Sequence, residues 1–168
     1  TAYEAAIAAN PRLAHTHYGM AARSGRVALR HEQRERAIVI LKESMQYGSN
    51  AETHYLLGTA YYLSGKPDLA ASSFDQALAD KPDHVGALTN RGYIHIDRKH
   101  FDDATKLFAR ARELAPKDEN ALYGLALSLQ NAGNTQEAAE LWRVFVKDFP
   151  ESRWAATARR YLGGAGEP

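Results

Sequence analysis

Histidine is the residue type in this chain that is best suited to chemistry, because its seven copies could act as metal ligands. His15 and His17 lie two residues apart, which places them on different faces of a helix. No pair of histidines has the i, i+4 spacing with a carboxylate that helical zinc sites show. The chain has no cysteine, so thiolate ligands and disulfides are excluded. We therefore predict structural histidines, no metal site and no cofactor.

Motifs for catalysis and for nucleic-acid binding are also missing. The sequence contains no Gly-x-Ser-x-Gly elbow and no glycine-rich phosphate loop. Asp102 and Asp103 lie where a helix is predicted to begin, and there they favour its macrodipole. The formal net charge of +1 provides no global field for nucleic acid. We predict a protein without enzymatic activity and without a nucleic-acid partner.

The elements that carry these residues are predicted by a pattern that recurs every 34 residues. The three copies are Leu57-Gly58, Tyr61, Ala70, Phe74, Ala77 and Pro82; Arg91-Gly92, His95, Ala104, Phe108, Ala111 and Pro116; and Leu125-Ala126, Leu129, Ala138, Trp142, Phe145 and Pro150. So many residue classes stay in phase only in a repeated supersecondary unit.

Each copy has the spacing of a helical hairpin. The apolar positions follow a three-and-four rule in two successive segments. Gly65 suits a left-handed position after the first helix, and Pro67 suits the first turn of the second. Gly58 and Ala70 are small where the two helices are expected to cross. Such a hairpin cannot bury its apolar face alone, so stacking of several copies is required.

This pattern resembles the tetratricopeptide repeat. The resemblance implies an all-α, right-handed α-solenoid of helix-turn-helix hairpins with a C-terminal capping helix, acting as a scaffold or adaptor that binds other proteins. The predicted organisation is 1–13 as the second helix of a truncated repeat, 14–50 as a repeat with an inserted turn, 51–84, 85–118 and 119–152 as repeats, 153–162 as the capping helix and 163–168 as a flexible tail. Ala37, Leu41 and Ser44 are predicted on the second helix of the 14–50 repeat, and Ser152 as the N-cap of the capping helix.

The resemblance also implies that first helices line a concave groove. Carried over position by position, the peptide-binding groove is predicted at Tyr18, Glu52, Tyr55, Thr59, Tyr62, Thr89, Tyr93, Asp97, Tyr123, Leu127 and Gln130. One repeat position holds a tyrosine in three units, at Tyr18, Tyr55 and Tyr123. These tyrosines either bind a partner or pack between adjacent helices, and both roles stay open. Tyr62 and Tyr93 are the favoured ligand contacts. In the same alignment His54 takes a bulky buried position and His95 replaces a buried tyrosine.

Several partners remain open. The carboxylate clamp by which some family members bind chaperone tails is absent, since its positions hold Tyr18, Ala22, Thr59, Thr89 and Tyr93. Beside the adaptor function we consider a homotypic assembly module and a periplasmic chaperone or assembly factor for envelope proteins or secreted polysaccharide. Self-association would use the open half-repeat at Tyr3 to Pro11, and we expect the chain to be a fragment of a longer solenoid. No signal peptide or membrane-spanning apolar run is visible, so bacterial cytoplasm and periplasm both stay open.

Overall fold

The computed structural model describes residues 34–46 and 48–164. The chain divides into two compact units, residues 1–82 and 83–168, and each is described by itself. The described residues form eight helices and no strand: α1 (Arg34–Met45), α2 (Ala51–Leu63), α3 (Pro67–Asp80), α4 (Val85–Asp97), α5 (Phe101–Leu114), α6 (Glu119–Asn131), α7 (Thr135–Asp148) and α8 (Ala155–Gly164). None of these helices is long and apolar enough to cross a membrane.

Helices α2, α4 and α6 begin at side-chain N-caps spaced 34 residues apart, at positions 50, 84 and 118. Each cap accepts a hydrogen bond from the backbone N–H three residues on: Thr53 to Asn50 Oδ1 (3.0 Å), Ala87 to His84 Nδ1 (3.1 Å) and Ala121 to Asp118 Oδ1 (2.8 Å). These bonds satisfy N–H groups that the first helical turn leaves unpaired. The 34-residue period therefore extends to the points where the first helix of each hairpin begins.

The turns inside the hairpins are Schellman motifs. After α2, Gly65 has a φ of 70°, and its N–H donates to the carbonyl of Tyr62 (3.0 Å). The Lys66 N–H donates to the carbonyl of Tyr61 (2.9 Å), which completes the pair of bonds that defines this motif. Pro67 follows at the start of α3, where a missing N–H costs nothing.

In the first compact unit the core lies on both sides of α2. On one side, α2 packs against α3, where Phe74 is fully buried and Ala70 is inaccessible to solvent. A Cβ built on Gly58 would lie 2.6 Å from the Phe74 ring, so only glycine permits this approach. On the other side α1 packs against α2, and the buried residues of α1 are Ala37, Leu41 and Ser44. The described core of this unit is thus built from small and branched residues around one phenylalanine.

In the second compact unit α4 to α7 pack against one another in a similar way. Phe108 of α5 is fully buried between two glycines, Gly92 of α4 and Gly124 of α6. Trp142 and Phe145 of α7 are fully buried in the same core cluster. Large side chains on the second helices therefore fill the spaces that small residues leave on the first helices.

The last helix begins and ends two residues later than the predicted span of 153–162. The Ser152 hydroxyl accepts a hydrogen bond from the Trp154 N–H (3.0 Å) and donates one to the Glu119 carboxylate, so Ser152 holds the turn that precedes α8. Gly163 and Gly164, which the sequence analysis places in a tail, belong to α8. A glycine costs a helix only about 1 kcal/mol, which does not end a helix that is packed on its neighbour.

Candidate protein-binding surface on the first helices

The residues predicted to line a groove lie on α2, α4 and α6, which are first helices of their hairpins. Glu52, Tyr55, Thr59 and Tyr62 belong to the first compact unit, and all are half-buried. The second unit holds the others, which are Thr89, Tyr93, Asp97, Tyr123, Leu127 and Gln130. Tyr18 and the half-repeat at 1–13 lie outside the described residues.

Two of the tyrosines that share a position have a packing role. The Tyr123 ring stacks on Trp154 with centroids 4.8 Å apart and meets Trp142 edge-on at 5.3 Å. Burial, with a smaller contribution from Tyr161, raises the pKa of Tyr123 above its ordinary value. Tyr55 lies beside Phe74, at a centroid distance of 6.2 Å. The described ring contacts of Tyr55 and Tyr123 are thus packing contacts, and partner binding at this position stays a prediction.

Tyr93, one of the favoured ligand contacts, also contributes to packing. Its ring meets Phe108 edge-on at 5.0 Å, and its hydroxyl donates to the backbone carbonyl of Asn120 (3.2 Å). These contacts connect α4 with both α5 and α6. Tyr93 therefore has partners inside the unit for both its ring and its hydroxyl, and its role as a ligand contact stays a prediction.

Thr89 does not belong on the candidate surface. Only 5% of this residue is exposed, and its hydroxyl lies 3.1 Å from the Val85 carbonyl oxygen and 3.0 Å from that of Gly86. A threonine in a helix commonly satisfies its hydroxyl in this way. Thr59 does the same with the carbonyl of Tyr55 (2.9 Å) but stays half-exposed.

Gln130 and Leu127 of α6 have the character expected of a binding surface. The Oε1 atom of Gln130 is buried and has no hydrogen-bond partner among the described residues. Leu127 is half-buried and packs on the core cluster of the second unit. A buried amide oxygen is nearly always paired, so Gln130 carries a polar atom whose hydrogen-bond partner the described residues do not supply.

The structure also brings together three groups that the sequence analysis treated separately. Single ligand atoms of His95, His100 and Asp103 lie within 4.8 Å of one another. The turn after α4 is responsible, because it is a Schellman motif in which the His100 N–H donates to the His95 carbonyl (2.8 Å). The two imidazole rings then lie 5.9 Å apart. The sequence signal that could have revealed this cluster is His-x4-His-x2-Asp across a helix–turn–helix boundary.

The pKa shifts of two residues in this cluster have clear physical causes. Burial lowers the pKa of His95, and the positive charge of Arg91 lowers it further. A hydrogen bond from Lys106 (3.2 Å) lowers the pKa of Asp103, which is an exposed carboxylate. In the first compact unit, the Nε2 atom of His54 lies 3.7 Å from the Asp80 carboxylate.

Comparison with known proteins agrees with the repeat pattern. A profile described as "Tetratricopeptide repeat" matches residues 22–83 and 55–119, and a second profile of the same description matches 120–152. A TPR repeat-containing protein of Rhizobium etli is 29% identical over 91 residues, which are 54% of this chain and 45% of that protein. The probable peptide N-acetylglucosaminyltransferase SPINDLY of Hordeum vulgare is 29% identical over 100 residues, which are 55% of this chain and 11% of that protein. The chain thus spans less than half the length of these curated relatives.

Solved structures share the fold at low sequence identity. MamA of Desulfovibrio magneticus, from residue 41 to its end, has a TM-score of 0.78 and 23% identity, covering 89% of this chain and 83% of that one. Pseudomonas aeruginosa PilF has a TM-score of 0.75 and 19% identity, covering 92% and 79%. The expected fold class, an all-α solenoid of helical hairpins, is confirmed. The chain belongs to the tetratricopeptide repeat family, whose members generally serve as scaffolds for protein–protein interactions and are typically not enzymes.

Proposed function

We propose that this chain is a protein-interaction scaffold that binds a peptide or helical segment of a partner on the first helices of its hairpins. The main contact lies on α6, at Leu127 and Gln130. A second contact is proposed on α2, at Glu52 and Tyr62.

The observation that carries the proposal is the buried, unpartnered Oε1 atom of Gln130. An unpaired polar atom of this kind costs free energy unless a donor reaches it. The backbone N–H of a bound segment would be such a donor once the half-buried Gln130 side chain turns its amide outward. Leu127, one helical turn before Gln130, offers a half-buried apolar contact that an aliphatic or aromatic anchor of the same segment would cover.

The surface on α2 differs in chemistry. Tyr62 is half-buried, and the neighbouring Leu63 is 42% exposed. A large apolar side chain that remains exposed next to an aromatic ring suits an apolar partner residue. Glu52 adds a carboxylate near the other end of the helix. A segment bound here would therefore present an apolar group near Tyr62 and a donor near Glu52.

The test is a peptide-display selection against the chain, with the affinities of the selected peptides measured by fluorescence anisotropy. We expect Gln130→Ala and Leu127→Ala each to weaken binding about 30-fold, the loss typical of an interface hot spot worth about 2 kcal/mol. Tyr62→Ala tests the α2 surface in the same way.

Matched controls lie on the second helix of the same hairpin. Glu140→Ala and Arg143→Ala change exposed residues of α7 and should alter the affinity by no more than about twofold. Peptides that lose affinity with Arg143→Ala but not with Gln130→Ala would place the interface on the second helices and contradict the proposal. Melting temperatures of all variants separate lost binding from lost folding.

A further inference from the structure

We propose that His95, His100 and Asp103 form a binding site for a divalent transition-metal ion, with Zn²⁺ as the probe, at the turn between α4 and α5. The three side chains supply two imidazole nitrogens and one carboxylate oxygen within 4.8 Å of one another. This donor set is one that Zn²⁺, Co²⁺ and Ni²⁺ accept in proteins. The expectation of no metal site was drawn from spacing within single helices, and it does not cover ligands brought together across a turn.

The hydrogen bonding of the His95 ring is compatible with the site. The Nδ1 atom of His95 is inaccessible to solvent and has no hydrogen-bond partner among the described residues. Buried ring nitrogens are normally paired with a protein group, a water molecule or a metal ion. Coordination through the His95 ring would therefore break no existing hydrogen bond of Nδ1.

The remaining two ligands can reach a metal ion without rebuilding the fold. Ligand atoms around a tetrahedral Zn²⁺ lie about 3.3 Å apart, given bonds of about 2.0 Å, so the present group must contract. His100 and Asp103 are exposed, and His100 makes no capping hydrogen bond with its side chain. Both can therefore rotate towards His95. Asp103 would give up its ion pair with Lys106 (3.2 Å), and exposed pairs of this kind contribute little.

Neighbouring charges limit the strength of binding. Arg91 and Arg98 act on His95 electrostatically, and both oppose a bound cation. Burial keeps the His95 imidazole neutral more readily than an exposed histidine, and a neutral imidazole is the form that binds metal. We accordingly expect weaker binding than in a structural site with four protein ligands.

The site opens to solvent beside His100 and Asp103. His100 and Asp103 lie at the edge of a depression of about 500 Å³ that Asn131 and Ala132 also line. With three protein ligands, a metal ion here would keep a position for water or for an exchangeable group. A carboxylate or imidazole of another protein could take that position.

The test titrates the full chain with Zn²⁺ alone by calorimetry and with Co²⁺ alone by visible absorption, which reports coordination geometry. His15, His17 and His31 lie outside the described residues, so site-specific variants are essential. We expect His100→Ala and Asp103→Asn each to weaken binding at least about tenfold and the double variant to lose one metal equivalent per chain.

Asp102→Asn is the matched control, because Asp102 is exposed in the same first turn of α5 but does not belong to the cluster. It should bind both metals like the unchanged chain. Circular dichroism checks that each variant keeps its helices, and His100→Gln replaces His100→Ala if the alanine variant does not. Unchanged stoichiometry and affinity in His100→Ala and Asp103→Asn would overturn the proposal, as would failure of the unchanged chain to bind Zn²⁺ at millimolar concentration.

Discussion

Phe108 shows how single residues set the distance between helices in the second compact unit. Its ring is fully buried, and a Cβ built on Gly92 would lie 2.7 Å from it. A Cβ built on Gly124 would lie even closer to the Phe108 ring, which Gly92 also contacts. The ring therefore has no free space to move into. Both positions require glycine, because any other residue would place a Cβ against the ring.

This packing makes Gly124→Ala a strongly destabilising change. We expect it to lower the free energy of unfolding by about 2 kcal/mol, because overpacking a filled core forces side chains or helices apart. Urea denaturation followed by circular dichroism would measure the loss.

Gly163→Ala is the control, since a Cβ at Gly163 meets nothing within 4 Å. It should leave stability unchanged or raise it by up to about 1 kcal/mol, the helix propensity difference between the two residues. Equal stability of Gly124→Ala and the unchanged chain would show that α4 and α6 are free to separate.

The hairpin turns show what an element requires of its residues. The three hairpin turns among the described residues each place a residue at positive φ, and two of them use glycine, Gly65 and Gly133. The turn after α4 uses Lys99 instead, at a φ of 62°. A residue with a Cβ is strained in this region of φ and ψ by roughly 1–2 kcal/mol.

Lys99→Gly should therefore stabilise the chain. Part of the relieved strain is offset by the greater freedom of glycine in the unfolded state, which leaves an expected gain of about 0.5–1 kcal/mol. Lys81→Gly is the matched control, because Lys81 also follows a helix but has an extended φ of −144°. Thermal melting that ranks Lys99→Gly no higher than Lys81→Gly would contradict the strain argument.

At the scale of the whole molecule, the core of the second unit depends on its last helix. Tyr161 of α8 stacks on Trp142 at a centroid distance of 5.2 Å, and Ala158 is fully buried. Trp154, just before α8, stacks on Tyr123. A repeat array needs such a terminal element because its last hairpin otherwise exposes an apolar face.

A chain ending at Pro150 should lose on the order of 3 kcal/mol of stability, since the aromatic faces of Trp142 and Tyr123 become exposed. The fluorescence emission of Trp142 should shift to longer wavelength, and sedimentation should show association through the new apolar face. The full-length variant Trp154→Phe also keeps Trp142 as the single tryptophan. Its emission maximum should stay at the shorter wavelength of a buried tryptophan. Emission that is the same in both proteins would mean that α8 does not shield Trp142.

The sequence by itself determined the family, the all-α class and the local devices of the hairpins. The 34-residue period revealed the repeat, and the other features depend on neighbours within a few residues: glycine at Gly65, proline at Pro67 and the buried stripe of α1. Local rules decide them because capping, turn formation and helical periodicity act over one or two turns.

Only the tertiary structure decided which surface residues are committed to packing and which groups meet. Tyr93 sits at a position expected to face a ligand, but its contacts with Phe108 and Asn120 depend on how α4 crosses α5 and α6. The meeting of His95, His100 and Asp103 likewise depends on a Schellman bond that turns the chain between two helices. Distances between side chains on different helices follow from the crossing geometry of the helices and from the conformation of the turns. The periodic pattern within one helix determines neither of these.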